Sequence, residues 1–423
     1  MKIEQPFEIR HKSHHNSTGL ISKYYPPKRV SEDDFLKKLD EEPKDVPRVI
    51  YVHTPYCDKI CSFCNLNREQ LSGSLDSYAE YIASEFDKYG KYRYFKEKPV
   101  DVIYFGGGTP TVYKAKQLEI ILSSIERNIN LSADHEFTFE TTLHNLTDEK
   151  LEIMEKYGVN RLSVGIQSFT TEGREFYNRT FDRDETIRRI KDLKAKFNGE
   201  VCVDIIYNYP NQTIENAVSD AKTIKELDLG SSSFYSLMIH NGSALSKDIE
   251  NDKLKMEDDL IRERKLHDAF VDELTKESDY YILELTKIAK KNRDNYKYIK
   301  ARSFGGDTFP IGVGAGGSVD NIGIFRMKKE MSKFVEKGEY QQRLDKVGGL
   351  FQFPVVEKKN VLPNLTEKEL EIFKETIEKM KNKNLILENE NNYSLTRDGL
   401  FWGNNVSREI LVDLVEKTLG DNK

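Results

Sequence analysis

The sequence predicts an α/β protein: a partial (β/α)6, TIM-like barrel followed by a small C-terminal α+β domain of winged-helix-like order. Three observations carry that expectation. Short apolar, β-branched runs alternate with longer segments of helical period through the first two-thirds of the chain. Each run is apolar almost throughout, as strands covered by helices are. After the sixth run the rhythm stops, short of a closed eight-stranded barrel.

The strand candidates are 48–53 (RVIYVH), 101–105 (DVIYF), 136–141 (EFTFET), 161–166 (RLSVGI), 201–207 (VCVDIIY) and 233–239 (SFYSLMI). Amphipathic stretches such as SYAEYIASEFDKY, KQLEIILSSIERN and DETIRRIKDLKAKF separate them. Residues 1–46 read as an N-terminal arm and 47–245 as the barrel. Residues 246–349 read as a helical extension that ends in a glycine-rich loop, FPIGVGAGGS (309–318). Within 350–423, LTEKELEIFKETIEKMKNKN predicts a helix, LILENENNYSLT a hairpin turning on Asn391 and Asn392, and RDGLFWGNNVSREILVDLVEKTL a closing helix.

Composition narrows the function. The 423 residues are 38% hydrophobic and include 22 Tyr and 22 Phe, enough for a sizeable core. A formal net charge of -6 gives no whole-protein attraction to nucleic acid or an anionic membrane. From Leu350 onward eleven Lys/Arg stand against thirteen Asp/Glu, which argues against a DNA-binding wing. The N-terminal MKIEQPFEIRHKSHHNSTGL has no apolar signal core, and no run of about 18 apolar residues occurs, so a cytoplasmic location is expected.

Three of the four cysteines, Cys57, Cys61 and Cys64, follow the first strand with the spacing C-x3-C-x2-C. Clustered thiols do not make a disulfide framework, and thiolates suit zinc or an iron–sulfur cluster. A zinc site with His53 or a distant fourth ligand is one reading. Three thiolates on four irons, leaving one iron open to a substrate, is the other. Cys202, alone in a predicted buried strand, reads as a small apolar side chain. After the second strand, YFGGGTPT (104–111) is either a plain tight turn or a backbone that approaches a ligand with its N–H groups free.

With these residues the chain resembles the radical S-adenosylmethionine (SAM) enzymes. The resemblance implies a radical SAM barrel with a [4Fe–4S] cluster on Cys57, Cys61 and Cys64, whose open iron chelates SAM. The motifs ETTLH (140–144), SVGIQSF (163–169), NRTFDR (178–183) and VDIIYNYP (203–210) extend it, over residues 48–240, to the branch containing oxygen-independent coproporphyrinogen III oxidase. That branch implies two SAM molecules. Tyr51 and Phe63 would flank the first, with Gly107 and the ribose acceptor Glu140 completing its site. Gly108, Thr109, Gln167, Arg179 and Asp204 would hold the second. The residue types fit, since carboxylates accept from ribose hydroxyls and a guanidinium pairs with a carboxylate in a planar fork. Taken singly, Arg179 also fits a surface ion pair, and Gln167 an ordinary strand-end polar group.

The chain departs from those oxidases at Asn65 and Leu66, where they carry Gly and a further Cys, and at FYSLMIHNGSAL (234–245), to which no ligand contact is assigned. The stretches HKSHHNSTGLISKYYPPK, GVGAGG and LTRDGLFWGNNVS resemble the anaerobic haem-degrading radical SAM methyltransferases. That similarity implies haem as substrate, a linear tetrapyrrole product carrying a carbon from SAM, release of iron, and a flavodoxin- or ferredoxin-like electron donor. Trp402, Phe401 and Tyr393 are expected to form one wall of the haem cavity. His14 and His15 are either iron ligands or part of a solvated arm. No catalytic residue is assigned. A haem-binding chaperone and a porphyrinogen decarboxylase of the same branch remain as alternatives.

Overall fold

The computed structural model describes residues 5–13, 15–64, 69–256 and 259–420. All six expected strands form: β1 (Arg48–Thr54), β2 (Val100–Gly107), β3 (Leu131–Thr141), β4 (Arg161–Gln167), β5 (Glu200–Tyr207) and β6 (Ser231–Ser236). They lie side by side in chain order, each parallel to the next. Period-two alternation divides their side chains. Ile103, Phe105, Phe137 and Phe139 face the amphipathic helices, with Phe105 stacked on Phe139 at 4.2 Å. Val49, Tyr51, Val102 and Tyr104 face the other way, into a smaller cluster with Tyr298.

The six parallel strands form the expected partial barrel, and the sheet continues beyond them on both sides. Asp307–Ile311, expected in part as glycine-rich loop, is a buried strand parallel to β1. From it Gly316–Val319, Ile322–Lys328 and Met331–Glu336 continue antiparallel to the edge strand Lys28–Val30. On the opposite side Lys287–Lys290 and Tyr280–Glu284 extend the sheet beyond β6. Among the described residues the sheet has 13 strands, so the expected extension and part of the expected arm belong to its frame. Glycine permits the reversal, because a Cβ on Gly317 would stand 2.2 Å from the Thr308 carbonyl oxygen.

The C-terminal segment has its own core, built from Val347, Phe351, Phe373, Ile377, Val406 and Ile410 among others. A three-stranded sheet, Val355–Glu357, Asn392–Leu395 and Ile386–Glu388, packs with helices Glu367–Asn382 and Gly403–Gly420. The expected closing helix is broken at Trp402, which caps Arg397–Phe401. Trp402, Phe401 and Tyr393 are all buried in this core, so they do not form the expected cavity wall; closing the small core takes up their apolar surface. Among the described residues no helix is long and apolar enough to cross a membrane.

Below the barrel, Arg161 at the start of β4 forms a bidentate pair with Asp294, donating at 3.0 and 2.8 Å. The Cys202 thiol donates to the same carboxylate at 3.1 Å, and Ser231 donates as well. Cys202 is thus a buried polar partner rather than an apolar filler. Removing one member of such a pair strands the other charge without water. Asp294→Ala is expected to lower folding stability by roughly 3–5 kcal/mol in urea denaturation. A loss below about 1 kcal/mol would mean that Arg161 finds another partner.

Candidate functional site

The C-terminal ends of β1–β6 open into a cavity of about 400 Å³. Of the residues expected to hold the cluster and SAM, all line it except Tyr51. At its centre the thiol loop is fastened to the end of β2. The Gly108 N–H donates to the Thr54 carbonyl at 2.7 Å, the Thr109 N–H to the Tyr56 carbonyl at 2.8 Å, and the Thr109 hydroxyl lies 3.6 Å from Cys57 Sγ. The glycines are required by contact rather than by turn geometry alone. Gly107 has φ +113°, and a Cβ there would meet the His53 ring at 2.7 Å. On Gly108 it would stand 2.4 Å from the Tyr56 carbonyl oxygen and 3.0 Å from Cys57 Sγ.

This corrects one expectation. The amides of residues 107–109 are not left for a ligand, since the Gly107 N–H also has a partner, Glu140 Oε2 at 3.1 Å. The turn builds the thiol loop into the barrel. Cys57 is buried while Cys61 and Cys64 are half-buried, and none of the four cysteines is in a disulfide.

Glu140 and Asp204 face each other across β4, where Ser163 and Gly165 leave room between them. Glu140 accepts from the Tyr104 hydroxyl at 2.8 Å, and Asp204 from the Ser163 hydroxyl at 3.3 and 3.4 Å. Burial first, and then the like charge of Asp204, push the Glu140 carboxyl up to about 7.

Gln167 ends β4 at φ +65°, in the left-handed region, beside a bulge in the β4–β5 pairing. It is 9% exposed, and its Oε1 is buried without a hydrogen-bond partner. Asp220 holds the chain just after it, accepting from the Phe169 N–H at 2.6 Å and the Ser168 hydroxyl at 3.0 Å. Arg179 donates to the Gly165 carbonyl at 2.5 Å and to Cys61 Sγ at 3.5 Å. Phe63 packs edge-on against Tyr177 at 5.2 Å.

Tyr51 stands below this cavity. Its hydroxyl lies 3.0 Å from His53 Nδ1, and its ring packs on Tyr104 and Tyr298, each at 6.2 Å. It backs the carboxylate pocket from beneath. His14 and the side chain of His15 lie outside the described residues, as do Asn65 and Leu66.

Several residues in the wall or behind it escaped the sequence reading. Asp220 left no local signal, because its role depends on how its helix meets the end of β4. Tyr235, Met238 and His240 line the cavity from the stretch 234–245 that was given no contact. The Tyr235 position was legible, since alternation in SSSFYS sends Ser233 and Tyr235 to one side. The other two follow β6 after it leaves the sheet. His144 also lines the wall, its Nε2 2.7 Å from Asp58 Oδ2.

The placement and chemistry of the thiols fit the implied cluster. All three line one cavity, Arg179 offsets thiolate charge at Cys61, and glycine at position 108 clears the space beside Cys57.

Residues 51–224 match the family profile of the Radical SAM superfamily. The chain is 25% identical over 384 residues to the Heme chaperone HemW of Lactococcus lactis, a match covering 87% of this chain and 98% of that protein. It is also 25% identical over 274 residues to the Anaerobilin synthase of Escherichia coli O157:H7, covering 64% of this chain and 61% of that protein. Among solved structures, coproporphyrinogen III oxidase (HemN) from Escherichia coli superposes with a TM-score of 0.75 at 17% identity, over 94% of this chain and 98% of that one. The chain therefore carries the radical SAM α/β fold.

The raised carboxyl sets a pH dependence. The folded state keeps the Glu140 proton to about pH 7, whereas an unfolded glutamate loses it near 4.3, so stability falls as pH rises between those values. Glu140→Gln removes that penalty. Urea midpoints should show it more stable than the parent at pH 8, by on the order of 1 kcal/mol after allowance for solvent screening, with the difference fading by pH 5. A difference independent of pH would show that Glu140 titrates as an ordinary carboxylate.

Proposed function

We propose that the protein opens haem under anaerobic conditions, as a radical SAM methyltransferase that yields a linear tetrapyrrole bearing a carbon from SAM and releases iron. The single observation that supports this reading is that one cavity gathers polar groups enough for two ligands. Beside the thiols and Glu140 it offers Gln167, Arg179 and Asp204, with Gln167 Oε1 buried and unpaired. Simple carriage of a tetrapyrrole makes no use of these further groups.

A [4Fe–4S] cluster on Cys57, Cys61 and Cys64 would supply the one-electron reduction that cleaves SAM. The chain's own groups would bind and orient. Ionised Glu140 accepts from ribose hydroxyls of one SAM, with Phe63 and Tyr177 offering aromatic surface beside it. Arg179 presents a guanidinium to a carboxylate of the second, Gln167 a side-chain amide, and Asp204 an acceptor for its ribose. Tyr235, Met238 and His240 give the outer wall apolar and polar surface for a ring, and Lys59 brings a cation within reach of a propionate.

A second reading, a haem chaperone, is favoured by one specific observation: the match spans 98% of the Lactococcus lactis HemW but 61% of the anaerobilin synthase. Turnover separates the two. Anaerobically reconstituted protein should carry about four irons per chain. Reduced and given SAM and haem, it should bleach the Soret band and release 5′-deoxyadenosine and a linear tetrapyrrole, leaving coproporphyrinogen III untouched. Cys61→Ala should lose both the cluster absorbance and turnover, while Cys202→Ala keeps the cluster. Stable haem binding without bleaching, while SAM is cleaved, would establish the chaperone instead. One tight zinc and no sulfide would overturn the cluster.

A further inference from the structure

The hairpin of Ile322–Lys328 and Met331–Glu336 is separated from β1 by the strands Gly316–Val319 and Asp307–Ile311, and its turn stands at the same end of the sheet as the thiol loop. Alternation sends Ile324, Arg326 and Phe334 inward. Arg326 donates to the Pro310 carbonyl and the Tyr89 hydroxyl, each at 3.0 Å. Left facing water are Phe325, Met327 and Met331, at 46%, 46% and 43% exposure. Exposed Lys328, Lys329 and Lys333 surround them, against one exposed acid in the same stretch, Glu330. A chain of net charge -6 thus gathers cations around an apolar patch.

A short run of contacts joins this patch to the thiol loop. Lys329 donates to the Ser77 carbonyl at 3.3 Å and lies 5.7 Å from the rings of Tyr78 and Tyr81. The Tyr78 hydroxyl donates to the His53 carbonyl at 3.1 Å and accepts from the Val313 N–H at 2.9 Å. Tyr56, the residue before Cys57, packs edge-on against Tyr78 at 5.1 Å. The glycine-rich segment fills the space between. Gly314 donates to the Arg326 carbonyl at 2.7 Å, and at Gly312, φ +90°, a Cβ would stand 2.4 Å from the His53 carbonyl oxygen. Glycine here lets this segment pack closely against both the end of β1 and the hairpin.

We propose that this face docks an acidic, low-potential one-electron carrier of the flavodoxin or ferredoxin kind. The inference rests on the reading above only in requiring a reductant: the carrier would give up one electron to a cluster held by Cys57, Cys61 and Cys64, with no proton or group moving. The three lysines complement an acidic partner and steer its approach. Phe325 and the two methionines offer an adaptable centre that loses its water on contact. A second copy of this chain fits less well, because a two-fold contact would set the lysines against one another.

The test uses the full-length protein with two probes, a purified flavodoxin and a purified [4Fe–4S] ferredoxin, and reads calorimetric affinity at two salt concentrations. Lys328→Glu/Lys329→Glu/Lys333→Glu should weaken binding of at least one probe tenfold or more and flatten its salt dependence. Phe325→Ser/Met327→Ser should weaken it several-fold with the salt dependence kept. With SAM alone, release of 5′-deoxyadenosine driven by that reduced carrier should fall in both variants, and release driven by dithionite should not. Any of four results would overturn the proposal: no binding of either probe to the parent protein, unchanged affinity in both variants, equal losses with dithionite, or a dimer in sedimentation that both variants dissociate. Haem is absent throughout, so failure of the haem reading leaves these measurements standing, and their failure leaves haem bleaching to be scored separately.

Discussion

Everything at the mouth of the barrel depends on how closely the ends of β1 and β2 approach. At positions 107 and 108 any side chain would collide with His53, Tyr56 or Cys57, and the amides there bond to Glu140 and Thr54. A loop carrying three thiols would otherwise be free to move, and ordering it costs conformational entropy. Backbone bonds to a buried strand offset that cost and fix where Cys57 sits. The same contact aims Glu140, because the amide that bonds it belongs to Gly107. The cysteine loop and the first carboxylate are therefore one construction.

The second constraint is electrostatic. Three carboxylates, a guanidinium, an ammonium and three thiols share one cavity, and each ionised group must find compensation there. Arg179 is partly compensated by Cys61 and the Gly165 carbonyl, and Ser163 donates to Asp204. Glu140 has two donors, yet burial and Asp204 still raise its carboxyl. Gln167 adds a buried acceptor with no protein partner, held in a backbone conformation that few non-glycine residues adopt. Cavities of uncompensated polar groups are weak packing and good receptors.

The sequence showed the six barrel strands because each is a short apolar run with its own helix behind it, a local pattern. It hid Asp307–Ile311 because Pro310 and the glycines beyond it read as breakers. In the fold Pro310 lies beside Tyr51 in a parallel pair and its carbonyl takes the Arg326 guanidinium, so the missing N–H is tolerated. Among site residues, the cysteines were legible from spacing, and the strand-end polar groups from motifs that follow each strand. Tyr51 stays out of the cavity lining because Gly106 leaves room for its ring to lie near Glu140. Asp220 and His240 act across elements, and no local pattern in the chain reports that.

The tail motif GLFWGNN has a structural use that accounts for its composition without any substrate. Phe7 packs on Trp402 at 5.6 Å, and Arg10 lies 4.0 Å over the Phe401 ring while pairing with buried Glu263. Asn405 accepts from the His11 N–H and donates to the Ile9 carbonyl, both at 2.8 Å. The aromatic pair and the amide thus form a socket for residues 7–11. Lys12, next along, pairs with Glu263 and donates to the carbonyl of Leu237, a residue of the cavity wall. Two stretches nearly 400 residues apart in sequence meet in one interface, and the arm leads from that interface to the cavity. Similarity in the arm and in the tail is therefore a single structural feature, and it bears on the site through the position of the arm rather than through aromatic contact with a ring.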